Sequence, residues 1–343
     1  MPPTADNNLT AANRLGLDYR VEAERLPHIG PLLDVHVHLQ NVEAAELFFE
    51  AADAYHVRKV WSMTQLEELD AMRDRFGERI DFIALPNHTA RETDPGAFTT
   101  DWLRRIEAFA NKGVRICKFW SAPRGRDWHP DALRIDSPMR FEQMRLARSL
   151  GMMFMAHIAD PDTWFATHYR DSARYGSKAD HYDAFRRALD EFGDVTWLAA
   201  HMAGSPEDLD RLQGLLDTYP RLHLDTSATK WMVRELSRHA PGELADFLRR
   251  NSGRILFGSD VVAMSSNMDF DLYASRYWAL RTLFETDYVG PSPIVDPDLP
   301  LVNPELPDTA TADLRGLGLD AGVLTTLYHD AAANLLPGGD PRS

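Results

Sequence analysis

Short apolar, β-branched or aromatic runs alternate along the chain with longer stretches in which apolar residues recur every three or four positions. Eight of the short runs read as strands: LLDVHVHL (32–39), RKVWSMT (58–64), IDFIALPN (80–87), VRICKFW (114–120), MMFMAHI (152–158), VTWLAAHM (195–202), RLHLDTS (221–227) and RILFGSD (254–260). Helical patterns lie between them, among them NVEAAELFFEAADAYHV, AFTTDWLRRIEAFANKG, DHYDAFRRALDEFG and SPEDLDRLQGLLDTYP. Several open on Ser or Asp and close on Gly, as helix caps do. Strand followed by helix, eight times over, predicts an α/β fold of the (β/α)8 TIM-barrel type. The competing architecture is an open, doubly wound sheet. Its dinucleotide-binding form would carry G-x-G-x-x-G after the first strand, and none is present.

Three regions stand outside the alternation. Residues 1–30 are expected to pack across the barrel as an extension, 31–337 to form one barrel domain, and 338–343 to be a tail. Residues 159–178 and 261–310 read as long loops after strands five and eight. The second contains a helical piece, LYASRYWALRTLF, and the proline-rich GPSPIVDPDLPLVNPELP. Long loops in compact domains carry function or are disordered. Both of these follow strand C-termini, the end at which barrel enzymes build their sites.

The first strand raises a chemical question. Side chains alternate along a strand, so Asp34, His36 and His38 are expected on one face and Leu33, Val35 and Val37 on the other. Taken alone, the stretch fits a half-exposed strand with polar residues facing water. Other strand ends change that reading. His157 ends strand five, His201 ends strand six, Asp260 ends strand eight, and Lys118 lies near the end of strand four, each behind apolar residues. A closed barrel brings these ends to one mouth.

Composition narrows the partners. The formal net charge of −15 argues against a nucleic-acid surface and against docking on anionic lipid, but leaves room for a locally basic pocket. The single cysteine, Cys117, forbids an internal disulfide and fits a reducing, cytoplasmic setting. No apolar run approaches a membrane span, and the N-terminal MPPTADNNLT lacks the features of a signal peptide. A small-molecule substrate is the expected partner, with a homodimer as the default assembly.

With DVHVHL, His157, His201 and Asp260 in this order, the chain resembles the amidohydrolase superfamily of metal-dependent enzymes. It is most similar to the branch that holds aminocarboxymuconate-semialdehyde decarboxylase and related aromatic-acid decarboxylases and hydrolases. RLHLDTSA and YHDAAANLL, with Asn334, add to the resemblance, which spans roughly residues 31–337. The proline that follows the strand-eight aspartate in that family is absent from GSDVVAMSS, so the last loop is expected to take its own course.

The resemblance implies a divalent metal, Zn²⁺ with Mn²⁺ or Fe²⁺ as alternatives, held as one ion by His36, His38, His157 and Asp260. Imidazole and carboxylate donors suit these ions. Asp260 is then both ligand and proton acceptor. His201 is a second ligand, an electrophile or an acid/base. Lys118 is a carboxylated bridge between two metals, a cation facing a substrate carboxylate, or an amphipathic side chain with its head at the mouth. Lys118, Arg124, Arg174 and Trp120 are the expected substrate-binding residues. Further cations and aromatics, Arg126, Trp128, Lys230, Trp231 and Arg234 among them, also follow strand ends, though loop arginines are commonly just solvated. Asp225 is left open, because both faces of strand seven carry polar groups. The function expected is a hydrolase that acts through a metal-activated water on a small anionic or aromatic substrate. The alternative is a non-oxidative decarboxylase of an aromatic or enoic acid on the same site. A barrel that has lost catalysis and only binds is disfavoured, since none of the expected ligands is replaced.

Overall fold

The computed structural model of the 343-residue chain describes residues 9–90, 93, 94, 96–129, 131 and 133–336. The expected tail, 338–343, lies outside them. Parallel strands β1 (Leu32–Leu39), β2 (Val57–Met63), β3 (Ile80–Ala84), β4 (Ile116–Trp120), β5 (Met153–His157), β6 (Trp197–Ala199) and β7 (Leu222–Asp225) pair in sequence order. The eighth barrel strand is broken in two. Its first piece, β8 (Ile255–Leu256), pairs with β7, and its second, β9 (Val261–Ala263), pairs with β1. Residues 257–260 cross the break, anchored on β1 by Val35 N–H to the Phe257 carbonyl (2.9 Å) and Asp260 N–H to the His36 carbonyl (2.8 Å). The sheet therefore closes on itself as a (β/α)8 barrel.

Helices form where the apolar spacing and the caps agree. In Leu209–Thr218, Leu209, Leu212, Leu215 and Leu216 fall on one face and are buried, each contributing roughly 1.5–3 kcal/mol. Asp208 caps this helix by accepting from Arg211 N–H at 2.9 Å. The sequence pattern starts this helix at Ser205, but Ser205 lies in the turn after β6, its N–H on the Met202 carbonyl at 3.0 Å. Ser177 and Asp180 form a reciprocal capping box ahead of Lys178–Glu191.

The N-terminal extension packs on the outside of the barrel. Its helix Tyr19–Arg25 meets Phe270–Glu285, and Tyr55 Oη donates to the Tyr19 carbonyl at 2.9 Å. The proline-rich stretch read as loop is partly strand. Val289–Val295 (β10) pairs antiparallel with Thr311–Arg315 (β11). Proline argues against a central strand, yet a two-stranded ribbon is all edge and tolerates it. The outer edge of β10 is bonded to the extension, with Arg14 N–H on the Pro293 carbonyl and Val295 N–H on the Ala11 carbonyl, both at 2.8 Å.

Candidate metal centre

The C-terminal ends of the strands open into a cavity of about 530 Å³. His36, His38, Lys118, Trp120, His157, His201 and Asp260 line it, so every strand-end residue singled out by sequence reaches this mouth.

At β1 the strict alternation fails. The register with β2 shifts between Asp34 and Val37. His36 and His38 face the cavity, whereas Asp34 is fully buried away from it. The Asp34 carboxylate accepts from Ser259 Oγ (2.5 Å), Tyr277 Oη (3.0 Å) and the His36 backbone N–H (3.0 Å). The shared face expected for the three residues is thus split by the irregular register, and Asp34 serves to pin β1 to the broken eighth strand.

Asp260 sits at the end of that break with φ +59°, a left-handed conformation that costs a non-glycine residue roughly 1–2 kcal/mol. Its Oδ1 lies 3.3 Å from His38 Nε2 and 3.5 Å from His36 Nε2. Two ligands bound at the usual zinc–nitrogen and zinc–oxygen lengths in a tetrahedron are separated by roughly 3.3–3.4 Å, so the spacing suits one small divalent ion. Each histidine offers Nε2 to this cluster. The opposite nitrogen of His36 is held by Asp225 Oδ2 at 2.9 Å, a carboxylate–imidazole arrangement that fixes the ring of a metal ligand. Burial and the neighbouring Lys118 hold the His36 imidazole below its ordinary range, and burial and His157 do the same to His201. Burial thus favours the neutral form of both rings, the form in which an imidazole can bind a metal or accept a proton.

His157, the fourth expected ligand, stands outside the cluster of His36, His38 and Asp260. Its Nε2 is bonded to Asp160 Oδ1 (2.7 Å), whose other oxygen accepts from Tyr169 Oη (2.6 Å). Its ring packs edge-on against His201 at 4.6 Å between centroids. Lys118 is buried with Nζ 3.4 Å from His36 Nε2, and burial pushes its ammonium down to about 8.

His201 is set by unusual backbone. His201, Met202, Ala203 and Gly204 all have φ between +51° and +72°. The turn is held by the His201 backbone N–H on Asp225 Oδ1 (2.8 Å) and by Tyr182 Oη on the Ala203 carbonyl (2.7 Å). Left-handed non-glycine residues gather at functional sites because only a surrounding network can hold them. Ala228, at φ +65°, also lines the cavity.

The walls are aromatic and cationic. Trp120 packs on Trp128 at 5.5 Å, and Trp164 on Trp231 at 5.2 Å. Trp164 Nε1 donates to Asp298 Oδ2 at 2.7 Å, which latches the loop after β5 to the segment after β10. Lys230 and Arg276 complete the lining. Burial lowers the guanidinium of Arg276 to about 10, and burial together with Arg276 lowers Lys230. Among the described residues, none of Lys118, Lys230 and Arg276 forms an ion pair.

Of the substrate-binding residues expected from sequence, Lys118 and Trp120 face the cavity. Arg124 and Arg174 do not line it; both are exposed, and Arg174 is paired with Asp127. Arg234 is a structural residue, buried against Asp296 (2.6 Å) and Glu235 (2.7 Å). Sequence reasoning missed Ser227, Asp160, Trp164 and Arg276, and left Asp225 undecided. Some signal was there: Asp160 stands three residues after His157.

No protein-family model and no curated sequence matches the chain. Among solved structures it is similar to the 5-carboxyvanillate decarboxylase of Novosphingobium aromaticivorans, complexed with manganese and 4-hydroxy-3-methoxy-5-nitrobenzoic acid. The identity is 10%, the TM-score 0.49, and the match covers 89% of this chain and 96% of that one. Dihydroorotase from Saccharomyces cerevisiae matches at 11% identity and TM-score 0.46 over 74% of this chain and 78% of that one. Amidohydrolase 2 from Bifidobacterium longum subsp. infantis matches at 12% and 0.31 over 67% and 84%. At this distance the similarity says nothing of what this chain binds or does, and the barrel stands on its own strand pairing.

Proposed function

We propose that the chain is a metal-dependent hydrolase that acts on a small anionic or aromatic organic substrate. The observation that carries this reading is the convergence of His36 Nε2, His38 Nε2 and Asp260 Oδ1 at the floor of a tryptophan-walled cavity, at ligand-to-ligand distances suited to one small divalent ion. Zn²⁺ is the ion proposed, with Mn²⁺ or Fe²⁺ as alternatives, and one ion rather than two. When bound, such an ion would acidify a water molecule and polarise a substrate oxygen. His36, His38 and Asp260 would hold it. His157, the fourth ligand expected from sequence, lies outside this cluster with Nε2 bonded to Asp160, so the fourth position is left to water or substrate.

The chain's own residues then divide the work. Asp260 accepts a proton at the carboxylate oxygen not turned to the histidines. His201, neutral and lining the cavity, moves a proton to or from the substrate. Lys118, Lys230 and Arg276 face the cavity and form no ion pair among the described residues, which favours an anionic group on the substrate. The four tryptophans exclude water and offer flat faces to an aromatic ring.

The same unpaired cations favour a second reading, decarboxylation of an aromatic or enoic acid, in which they orient the departing carboxylate. Two measurements test these proposals. Metal analysis of the purified chain should find about one equivalent of a divalent transition metal. Chain that folds normally and takes up neither zinc nor manganese would overturn both. A screen of lactones and amides against carboxylated phenols then separates them, since release of CO₂ from a phenol acid with no turnover of any ester or amide would establish the second.

A further inference from the structure

Behind the two histidines lies a hydrogen-bonded group that the proposed chemistry does not use. Ser227 is fully buried two residues past the end of β7. Its Oγ is 2.7 Å from His201 Nδ1, 3.0 Å from His36 Nδ1, and in close contact with Asp225 Oδ1. Three groups meet on one hydroxyl that has a single proton to give. His36, His201 and Asp225 bring three metal-type donor atoms together here, but Ser227 Oγ bonds to all three residues, so this is a hydrogen-bond node and not a second metal cage.

We propose that Ser227 is a positioning residue that relays the charge of Asp225 to His201, holding His201 with its proton on Nδ1 and its lone pair on Nε2.

Counting protons leads to this assignment. Asp225 Oδ1 already accepts two backbone N–H groups, from His201 at 2.8 Å and Ser227 at 3.1 Å, which can only donate. Asp225 is therefore an acceptor throughout, and the Ser227 hydroxyl must donate to it; a contact that close between two lone pairs would be repulsive. His36 is fixed independently. Asp225 Oδ2, a carboxylate oxygen that only accepts, lies 2.9 Å from His36 Nδ1, so the His36 proton sits on Nδ1 and Nε2 is the nitrogen that faces Lys118. Ser227 Oγ, its proton spent on Asp225, can only accept from His201, so the His201 proton lies on Nδ1. The tautomer of a histidine follows from the bond its other nitrogen makes. One carboxylate thus sets both rings, His36 directly and His201 through a hydroxyl, and each leaves Nε2 unprotonated. The proposed function enters only in what that Nε2 then does to a metal ligand or substrate.

The test is nitrogen NMR on the metal-free full chain labelled at histidine, with the His201 signals assigned by their loss in His201→Asn. In the wild type His201 should show a protonated, pyrrole-type Nδ1 and an unprotonated, pyridine-type Nε2. Ser227→Ala should shift most of the population toward Nε2–H, the preferred form of a free imidazole, while the His36 signals stay as they are. Ser227→Cys, close in size but a poor acceptor, should shift it in the same direction and by less, and supplies the test if the alanine variant does not fold. A wild-type His201 protonated on Nε2, or variants whose His201 signals match the wild type, would overturn the proposal. Because no metal is present, failure of the metal-dependent reading would show in metal analysis and leave this result standing.

Discussion

A histidine at the mouth of this barrel can hold an ion or move a proton, and what decides between the two is where its nitrogens point. His36 turns Nε2 toward His38 and Asp260 and gives Nδ1 to Asp225. His201 gives Nδ1 to Ser227 and stands outside the cluster of His36, His38 and Asp260. Replacing His36 with Ala should therefore remove metal and turnover together. His201→Asn should keep the metal content and lower kcat by about 10²–10⁴, the range for loss of an acid/base group. Metal stoichiometry and turnover measured on the same preparations check both, and a His201→Asn protein as empty as His36→Ala would make His201 a ligand. These ionisable groups were legible in the sequence because each follows an apolar strand. Asp225 and Ser227 were not, because alternation along β7 cannot say which polar residue of LHLDTS points inward. Arg124 and Arg174 were drawn into the expected site by chain position alone, and a loop arginine reaches solvent as easily as a cavity.

At the scale of elements, the site depends on two interruptions of regular structure. The eighth strand is broken so that Asp260 can turn beside β1, and β6 ends early in a left-handed turn that carries His201. Gly204 closes that turn at φ +72°, and a Cβ there would meet the Ala159 carbonyl oxygen at 2.1 Å. That carbonyl immediately precedes Asp160, which holds His157. Gly204→Ala should destabilise the fold by about 1–3 kcal/mol, the usual range for forcing atoms into a packed interior. Gly214→Ala is the matched control. Gly214 lies inside a helix with open space at its Cβ position, so alanine there should stabilise by about 0.5–1 kcal/mol. Urea midpoints of the two variants against the wild type decide the matter; equal midpoints would mean that the turn relaxes freely. AAHM is apolar enough to continue a strand, so the pattern extends strand six to residue 202, whereas β6 ends at Ala199. Left-handed backbone in non-glycine residues leaves no pattern in composition, since it is imposed by Asp225, Tyr182 and Ala159 from elsewhere in the chain.

Across the whole molecule, buried histidines tie stability to pH. His223 is buried on β7, and burial, aided by Arg254, lowers its imidazole from 6.5 to about 4. The unfolded chain then binds a proton that the folded chain refuses, so the contribution of His223 is fully present above pH 6.5 and is lost as pH falls toward 4. The loss is about 3 kcal/mol in all. Asp34 works in the opposite sense over much of the same range, because burial raises its carboxyl to about 7. The total pH dependence therefore mixes signs, and the informative quantity is a difference. Stability of the wild type minus that of His223→Gln, measured by urea unfolding of metal-free protein, should fall between pH 6.5 and 4 and be flat above it. A difference independent of pH would show that His223 protonates freely in the fold.

The sequence by itself determined the class of fold and the residues that meet at its mouth. An eightfold alternation of strand and helix patterns admits few closed architectures, and closure alone carries His36, His38, Lys118, His157, His201 and Asp260 to one end. It also placed β1, from Leu32 to Leu39, because apolar neighbours on both sides of each polar residue mark a strand that will be buried. Tertiary structure alone decided which of those residues share a ligand cluster, which nitrogen each imidazole presents, and which cations remain unpaired. Those outcomes depend on register shifts, broken strands and hydrogen bonds between residues up to about two hundred positions apart, such as His36 with Asp225 and Ser227. A local pattern reports the face a side chain prefers, and only the closed barrel supplies the partner that holds it there.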